Sequence, residues 1–171
     1  HRIEPAVAAQ VFEQPIEMKQ RLAPQPPLYS RGWKGVGVEA LAAGNALDTP
    51  PDLKEYYHFG RERWAAGDAY YEGAAGQRYF ARNVWPTEPA GLREAADAYY
   101  QAMDRVSVDL CRAAALALDL PEHFFADKID KHITAARINY YPRQDHPPAA
   151  GQLRAGAHTD YGMLTILSGE N

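Results

Sequence analysis

Residues 154–167, RAGAHTDYGMLTIL, place a histidine and an aspartate one residue apart, just before an apolar run. On a β-strand, side chains two positions apart point to the same face of the sheet. His158 and Asp160 are therefore predicted to converge on one point. Glycines on either side, Gly156 and Gly162, leave room for a ligand to approach that point.

A neutral imidazole and a carboxylate aimed at one point form two corners of a metal site. Non-haem Fe(II) sites use two histidines and one carboxylate on one face of the ion, and they keep the other positions open for substrate and dioxygen. The competing interpretation is a hydrogen-bonded pair on the surface, which the same spacing produces by chance in many proteins. On the spacing alone, both interpretations stay open.

Two strands are predicted in this part of the chain. The apolar stretch MLTILS, residues 163–168, is a candidate for a buried strand. The segment HITAARINYYP, residues 132–142, alternates and ends at a proline, which is typical of a strand. RQDHPPAAGQ, residues 143–152, is predicted to be the loop after it.

Upstream of these strands the pattern is mainly helical. Residues 4–22 predict a helix that Pro15 breaks or restarts. The clearest helix spans about 89–118, because apolar residues recur there at alternating steps of four and three. These positions form one stripe: Leu92, Ala96, Tyr99, Met103, Val106, Leu110, Ala113 and Ala117. A further short helix is predicted to start at Pro121.

Three segments between the helices are predicted to be extended or irregular. Residues 30–41 contain three glycines between bulky side chains and suit an irregular strand. DLKEYYHFGRER, residues 52–63, is aromatic and predicted to be extended. Residues 65–89 are rich in Gly, Ala, Tyr and Pro, which predicts a long surface loop.

The order of elements, helices first and strands last, indicates an α+β or mostly β core covered by helices. We expect a single domain that is incomplete. Residues 1–128 would form a mainly helical N-terminal region, and residues 129–171 would begin the β core.

Composition narrows the class of protein. The 171 residues carry a formal net charge of −4 and no block of like charges, which argues against nucleic acid or an anionic membrane as a partner. No apolar run is long enough to span a bilayer. The single cysteine, Cys111, is expected to be a buried, unreactive thiol, and a reducing, cytoplasmic setting is expected.

The stretch containing RINYYP and GAHTDYGMLTIL resembles the iron- and 2-oxoglutarate-dependent dioxygenase superfamily, in the branch that includes isopenicillin N synthase. In that family a strand ending in Asn-Tyr-Tyr-Pro, here residues 139–142, precedes a loop. A His-Thr-Asp metal motif and a Leu-Thr-Ile-Leu strand follow, here residues 158–160 and 164–167. Upstream, residues 12–22 match the family's Phe-x-x-Pro-x-x-x-Lys helix, and residues 30–41 and 52–62 match the segments that usually follow it. The likeness therefore covers nearly the whole chain.

The resemblance implies that His158 and Asp160 ligate Fe(II). It also implies a double-stranded β-helix, or jelly roll, with flanking helices, of which this chain would hold the N-terminal and central part. The co-substrate would be 2-oxoglutarate, and Asn139 and Tyr141 would help to hold its distal carboxylate by donating hydrogen bonds. Without the family, we would interpret these two residues as a strand-end Asn and a core Tyr. The family's second histidine and its Arg-x-Ser motif are expected after Asn171.

The function implied by the resemblance is an Fe(II)- and 2-oxoglutarate-dependent oxygenase. It would hydroxylate, desaturate or cyclise a small organic substrate with O₂ and release succinate and CO₂. Two alternatives are kept: an oxidase of the same fold that does not use 2-oxoglutarate, and a non-catalytic module of that fold. Residues 1–171 alone are expected to be inactive, because they supply two of three metal ligands. The sequence assigns neither the substrate nor the oligomeric state.

Three other histidines are not expected to be ligands. His132 and His146 are predicted to be solvated, and His58, among aromatic residues, is predicted to be half-buried and hydrogen-bonded. Arg137 shares the predicted strand face of Asn139 and is expected to end in water.

Overall fold

The structure, a computed structural model, describes residues 3, 5–24, 30–42 and 49–169. In chain order its elements are α1 (Pro5–Phe12), α2 (Ile16–Arg21), β1 (Gly32–Lys34), β2 (Glu55–Gly60), α3 (Ala69–Glu72), α4 (Ala74–Tyr79), α5 (Leu92–Ala117), α6 (Ala126–Ile129) and β3 (Ala135–Tyr140). The strands form one three-stranded sheet in the order β1–β2–β3.

The described residues divide into two compact units. The first is drawn from residues 1–33 and 57–138, and the second from residues 34–56 and 139–171. All of the described helices lie in the first unit, and His158 and Asp160 lie in the second. No helix among the described residues is long and apolar enough to cross a membrane.

Helices α1 and α2 confirm the break predicted at Pro15. α1 ends at Phe12, and α2 begins at Ile16, directly after the proline, whose backbone is extended (φ −53°, ψ 147°). Proline has no N–H to donate inside a helix, so it is tolerated only at a helix start. A side chain bridges the break between the two helices. Nζ of Lys19 on α2 donates a 3.0 Å hydrogen bond to the carbonyl of Phe12, the last residue of α1.

Strand β2, at the centre of the sheet, confirms the extended segment predicted over 52–63. Its neighbouring residues Tyr56 and Tyr57 point to opposite faces and are 2% and 0% exposed, so both faces are covered. The ring of Tyr57 lies 5.9 Å from that of Trp85. Strand β1 is short, and the irregular strand predicted over 30–41 is confirmed only in its first part.

The long loop predicted over 65–89 is wrong in its middle, which holds α3 and α4. The side chain of Asp68 caps α3 by accepting a 2.9 Å hydrogen bond from the backbone N–H of Tyr70. Tyr71 and Phe80 are both buried, and their rings meet edge to face at 4.8 Å. A cap and a buried aromatic pair therefore stabilise short helices that composition does not reveal.

Helix α5 confirms the long helix predicted over 89–118, but the predicted stripe is buried only in its first half. Leu92 is 1% exposed, whereas Val106 and Leu110 are 39% and 43% exposed. The buried positions in the second half are Cys111 and Ala115. The expectation of a buried thiol at Cys111 is thus confirmed, and the expectation of one continuous apolar face is wrong.

The segment after α5 explains that change of face. Cys111 lines a small cavity together with residues of the following turn and helix, Phe125 and Ile129 among them. These residues cover the side of α5 that carries Cys111 and leave the predicted stripe facing water. The short helix predicted at Pro121 begins later, at Ala126, because turns occupy the residues between.

Strand β3 confirms the strand predicted over 132–142, within shorter bounds. The buried strand predicted over 163–168 is wrong: these residues form no strand, and Leu164 and Leu167 are 48% and 88% exposed. The physical reason is the small sheet. Its strands are β1, β2 and β3, so within the described residues no strand runs beside 163–168 to pair with it. The described residues are therefore α+β, with helices and one small sheet.

Candidate metal centre

His158 and Asp160 face each other across 3.4 Å, measured between Nε2 of the histidine and Oδ1 of the aspartate. The predicted convergence of the two side chains is present, but the predicted cause is wrong. Residues 157–160 are irregular and belong to no strand. The residues just before them are instead held by hydrogen bonds to other parts of the second unit.

The orientation of the imidazole is fixed by its other nitrogen. Nδ1 of His158 lies 2.8 Å from the carbonyl oxygen of Gly156. A carbonyl can only accept, so Nδ1 is the donor of this hydrogen bond, and Nε2 is the ring nitrogen left for another partner. Nε2 lies on the side of Asp160. Metal-ligating histidines are held in this way, by a hydrogen bond from the nitrogen that does not bind the ion.

The carboxylate of Asp160 is also oriented. The hydroxyl of Thr165 donates a hydrogen bond to Oδ2 of Asp160, and Oδ1 is the oxygen that faces His158. The side chains of His158 and Asp160 are 35% and 48% exposed, and Tyr161 beside them is fully exposed. The pair is thus oriented yet open to an approaching ion.

The segment that carries the pair is attached to a buried carboxylate. Oδ1 of Asp52 accepts a 3.0 Å hydrogen bond from the N–H of Gly156, and Oδ2 of Asp52 lies 3.2 Å from Nζ of Lys54. Nζ of Lys54 also pairs with Oε2 of Glu39 at 2.9 Å. Sequence reasoning missed this cluster. The only local sign of it is that two charged residues, Asp52 and Lys54, come just before the aromatic, buried strand β2. Charged side chains are seldom buried unless they are paired.

Asn139 lies near the end of β3, and Tyr141 directly follows its last residue. Asn139 is exposed, Tyr141 is 41% exposed, and both share the exposed parity of the strand with Arg137. Within the part of the chain that the structure describes, neither residue hydrogen-bonds to His158 or Asp160. Their side chains are free to meet a ligand from solvent, and their role in holding a co-substrate stays a prediction.

The three histidines that were not expected to be ligands differ in their surroundings. His146 is exposed and His58 is half-buried, as expected. The prediction that His132 is solvated is wrong: its side chain is 17% exposed, and Nε2 lies 2.8 Å from Nη2 of Arg61 and beside Oδ1 of Asp104. Helix α5, which carries Asp104, shields His132 from solvent on this side. Among the described residues, no group of three His, Cys, Asp or Glu side chains is placed to hold a metal ion.

The donor set suits iron. An imidazole nitrogen and a carboxylate oxygen are two of the three ligands in the two-histidine, one-carboxylate arrangement that holds non-haem Fe(II). Here one nitrogen and one oxygen of these kinds converge, and each side chain has a second hydrogen-bond partner, Gly156 for His158 and Thr165 for Asp160. The residues present therefore fit a ferrous ion.

Comparison with known proteins gives matches over most of the chain. Residues 5–88 match the family model described as non-haem dioxygenase in morphine synthesis, N-terminal. Validamycin A dioxygenase of Streptomyces hygroscopicus subsp. limoneus is 33% identical over 158 residues, which are 91% of this chain and 42% of that protein. Proline hydroxylase buaE of Petromyces alliaceus is 29% identical over 160 residues, 91% of this chain and 46% of that protein.

Solved structures match over the same range. A 2OG-Fe(II) oxygenase family protein from Caulobacter crescentus superposes with a TM-score of 0.67 at 25% identity, over 92% of this chain and 49% of that one. A full-length protein from Neurospora crassa, solved in complex with alpha-KG, superposes with a TM-score of 0.65 at 25% identity, over 95% of this chain and 50% of that one. The chain thus spans about half the length of the proteins it matches.

Proposed function

The chain belongs to the iron(II)- and 2-oxoglutarate-dependent dioxygenase superfamily, and on that premise we propose that the protein containing it is an oxygenase of this kind. It hydroxylates, desaturates or cyclises a small organic substrate with O₂, and it converts 2-oxoglutarate to succinate and CO₂. The printed activities of the relatives, a dioxygenase and a hydroxylase, support this proposal. So does the alpha-KG complex of the Neurospora protein.

One observation carries the proposal: Nε2 of His158 and Oδ1 of Asp160 converge at 3.4 Å, while Nδ1 of the imidazole is held by the carbonyl of Gly156. Both would hold Fe(II), and a second histidine from outside the described residues would complete the set. When bound, the ferrous ion supplies the redox and dioxygen chemistry that side chains cannot. The protein's own part is to hold these two ligands in a fixed relation and to orient the organic molecules beside them.

Asn139 and Tyr141 are proposed to bind the distal carboxylate of 2-oxoglutarate. An amide N–H and a phenol O–H are donors, and a carboxylate accepts from both. Their exposure on one side of β3 supports this assignment, because each side chain is available to a ligand.

We also propose a fold for the whole protein. We expect the whole protein to form a jelly roll, to which β3 contributes one strand. Support comes from the exposed apolar side chains of 163–168, which have no covering partner among the described residues.

The test is turnover by the whole protein supplied with Fe(II), 2-oxoglutarate and O₂. Free proline and validamycin A, named for the relatives, are the first substrates to try, and succinate is the product to measure. Substrate-dependent succinate formation that requires Fe(II) supports the proposal. Oxygen consumption with no use of 2-oxoglutarate would indicate the oxidase alternative, and a protein that binds no Fe(II) would indicate a non-catalytic module.

A further inference from the structure

We propose that Asp52 is a positioning residue for the His158 ligand, and that it acts through Gly156. The inference rests on the proposed function in one respect, since it takes His158 to be a ligand of Fe(II). Oδ1 of Asp52 holds the N–H of Gly156 at 3.0 Å, and the carbonyl of Gly156 holds Nδ1 of His158 at 2.8 Å. A single glycine thus connects a buried carboxylate to the imidazole.

The carboxylate of Asp52 is rigidly placed. It is 3% exposed, and both of its oxygens have partners. Oδ2 lies 3.2 Å from Nζ of Lys54 and accepts from the N–H of Leu41 at 3.3 Å, while Oδ1 is used for Gly156. The ammonium of Lys54 is itself 3% exposed. Charge-assisted hydrogen bonds in such a dry setting are strong, and they leave the carboxylate with little freedom.

Two further hydrogen bonds hold the same two segments together. Nε2 of Gln152 donates to the carbonyl of Pro51 at 2.9 Å, and the N–H of Leu53 donates to the carbonyl of Leu153 at 3.0 Å. The segment before His158 is therefore attached along its length to the segment that carries Asp52. Of these three hydrogen bonds, the one between Asp52 and Gly156 lies nearest in the chain to His158.

Gly156 explains why this last bond is needed. A Cβ at this position would lie 2.7 Å from Cβ of Ala42 and 2.9 Å from its backbone nitrogen, so the close approach requires glycine. Glycine, however, allows a wide range of backbone angles. With its N–H released, the Gly156 backbone could rotate and turn its carbonyl away from His158. The Asp52 carboxylate removes that freedom and so keeps the acceptor for Nδ1 in place.

The experiment uses the whole protein without metal and titrates it anaerobically with Fe(II). The variants are Asp52→Ala and Asp52→Asn, the second of which keeps one acceptor oxygen and is the milder change for folding. The matched control is Glu62→Gln in the first unit, because Glu62 also has several partners, Arg93 and Trp85 among them. Thermal unfolding of each metal-free protein is measured in parallel.

We expect Asp52→Ala to weaken Fe(II) binding at least about tenfold, as loss of an outer hydrogen-bond partner does in other metal sites. Asp52→Asn should recover part of that loss. Glu62→Gln should lower the unfolding temperature and leave the Fe(II) affinity within about twofold. Unchanged Fe(II) affinity in Asp52→Ala and Asp52→Asn, or an equal loss in Glu62→Gln, would overturn the inference and leave Asp52 a structural residue.

The readout separates this inference from the proposed function. A wild-type protein that binds Fe(II) but does not convert 2-oxoglutarate would refute the function, and the affinity series would still test Asp52. A wild-type protein that binds no Fe(II) would refute both.

Discussion

Thr165 and Asp160 are joined by a hydrogen bond in which the threonine hydroxyl donates to Oδ2 of the carboxylate. Oδ1 of the same carboxylate is the oxygen that lies 3.4 Å from Nε2 of His158. The hydroxyl therefore determines which oxygen faces the imidazole. It orients the side chain of Asp160, as the carbonyl of Gly156 orients that of His158.

That relationship predicts a graded effect at Thr165. Thr165→Val keeps the shape and removes the donor, so Fe(II) affinity of the whole protein should fall about tenfold. Thr165→Ser keeps a hydroxyl and should bind close to the wild-type value. Anaerobic calorimetric titration measures both. Equal affinities for the Val and Ser variants would mean that the hydroxyl does not orient the ligand.

Removal of a ligand should abolish turnover and spare the fold. In the whole protein, His158→Ala or Asp160→Ala should eliminate Fe(II)-dependent succinate formation, because each deletes one of the protein ligands. Their side chains are 35% and 48% exposed, so the free energy of unfolding without metal should change by only about 0.5 kcal/mol, as at other surface positions. Succinate release and urea unfolding are the two measurements, and wild-type succinate release in either variant would contradict the assignment.

The co-substrate residues are tested by a difference between two Michaelis constants. Asn139→Ala and Tyr141→Phe should each raise KM for 2-oxoglutarate more than KM for the organic substrate. A lost hydrogen bond to a charged group costs roughly 1.5–3 kcal/mol. Arg143→Ala, exposed just beyond the strand, is the control. A change only in the KM of the organic substrate would reassign these residues to its pocket, and no change would leave them structural.

Gly156 offers a steric prediction independent of metal. Gly156→Ala would force a methyl group to within 2.7 Å of Cβ of Ala42, and such overpacking costs about 1–3 kcal/mol. Gly162→Ala is the matched control, since the nearest atom to its added Cβ would be 3.7 Å away. Urea unfolding of the metal-free protein measures both changes. Similar stabilities for the two variants would show that the backbone around Gly156 shifts to accommodate the methyl group at little cost in free energy.

Acid stability should depend on Asp68. The hydrogen bond from Lys131, and then that from the N–H of Tyr70, hold the pKa of Asp68 below its ordinary value. The folded state thus resists protonation of this carboxyl. Its contribution to stability is present above the ordinary carboxyl pKa and is lost as the pH falls through the lowered value. Asp68→Asn should therefore unfold more easily at neutral pH and lose less stability on acidification.

Thermal unfolding over a pH series measures the effect at Asp68. Asp145→Asn, at an exposed position, makes the same change in net charge and serves as the control. Parallel stability curves for the wild type and Asp68→Asn would contradict the prediction.

Local patterns in the sequence were sufficient where an element is stabilised by its own residues. The break at Pro15 and the long helix α5 follow from backbone chemistry and from a periodic pattern. Helices α3 and α4 could not be predicted from such local patterns, because their stability depends on the buried contact between Tyr71 and Phe80. The exposure of the second half of the predicted stripe on α5 could not be predicted either, because the residues that cover Cys111 come from a later segment.

The candidate site divides in the same way. The His-x-Asp spacing predicted that the two side chains would converge, and they do, although not through a shared strand face. Asp52 could not be predicted, because its partner Gly156 lies 104 positions away in the chain. No local pattern encodes a hydrogen bond of that separation.

The exposure of residues 163–167 bears on how the chain behaves in solution. Met163, Leu164 and Leu167 are 58%, 48% and 88% exposed, in an uncharged stretch with high strand propensity. Such a stretch is a template for intermolecular β-pairing, in which copies of the chain add to one another edge to edge. Residues 1–171 produced on their own should therefore aggregate as their concentration rises. A single charge in the stretch, such as Ile166→Lys, should keep them soluble.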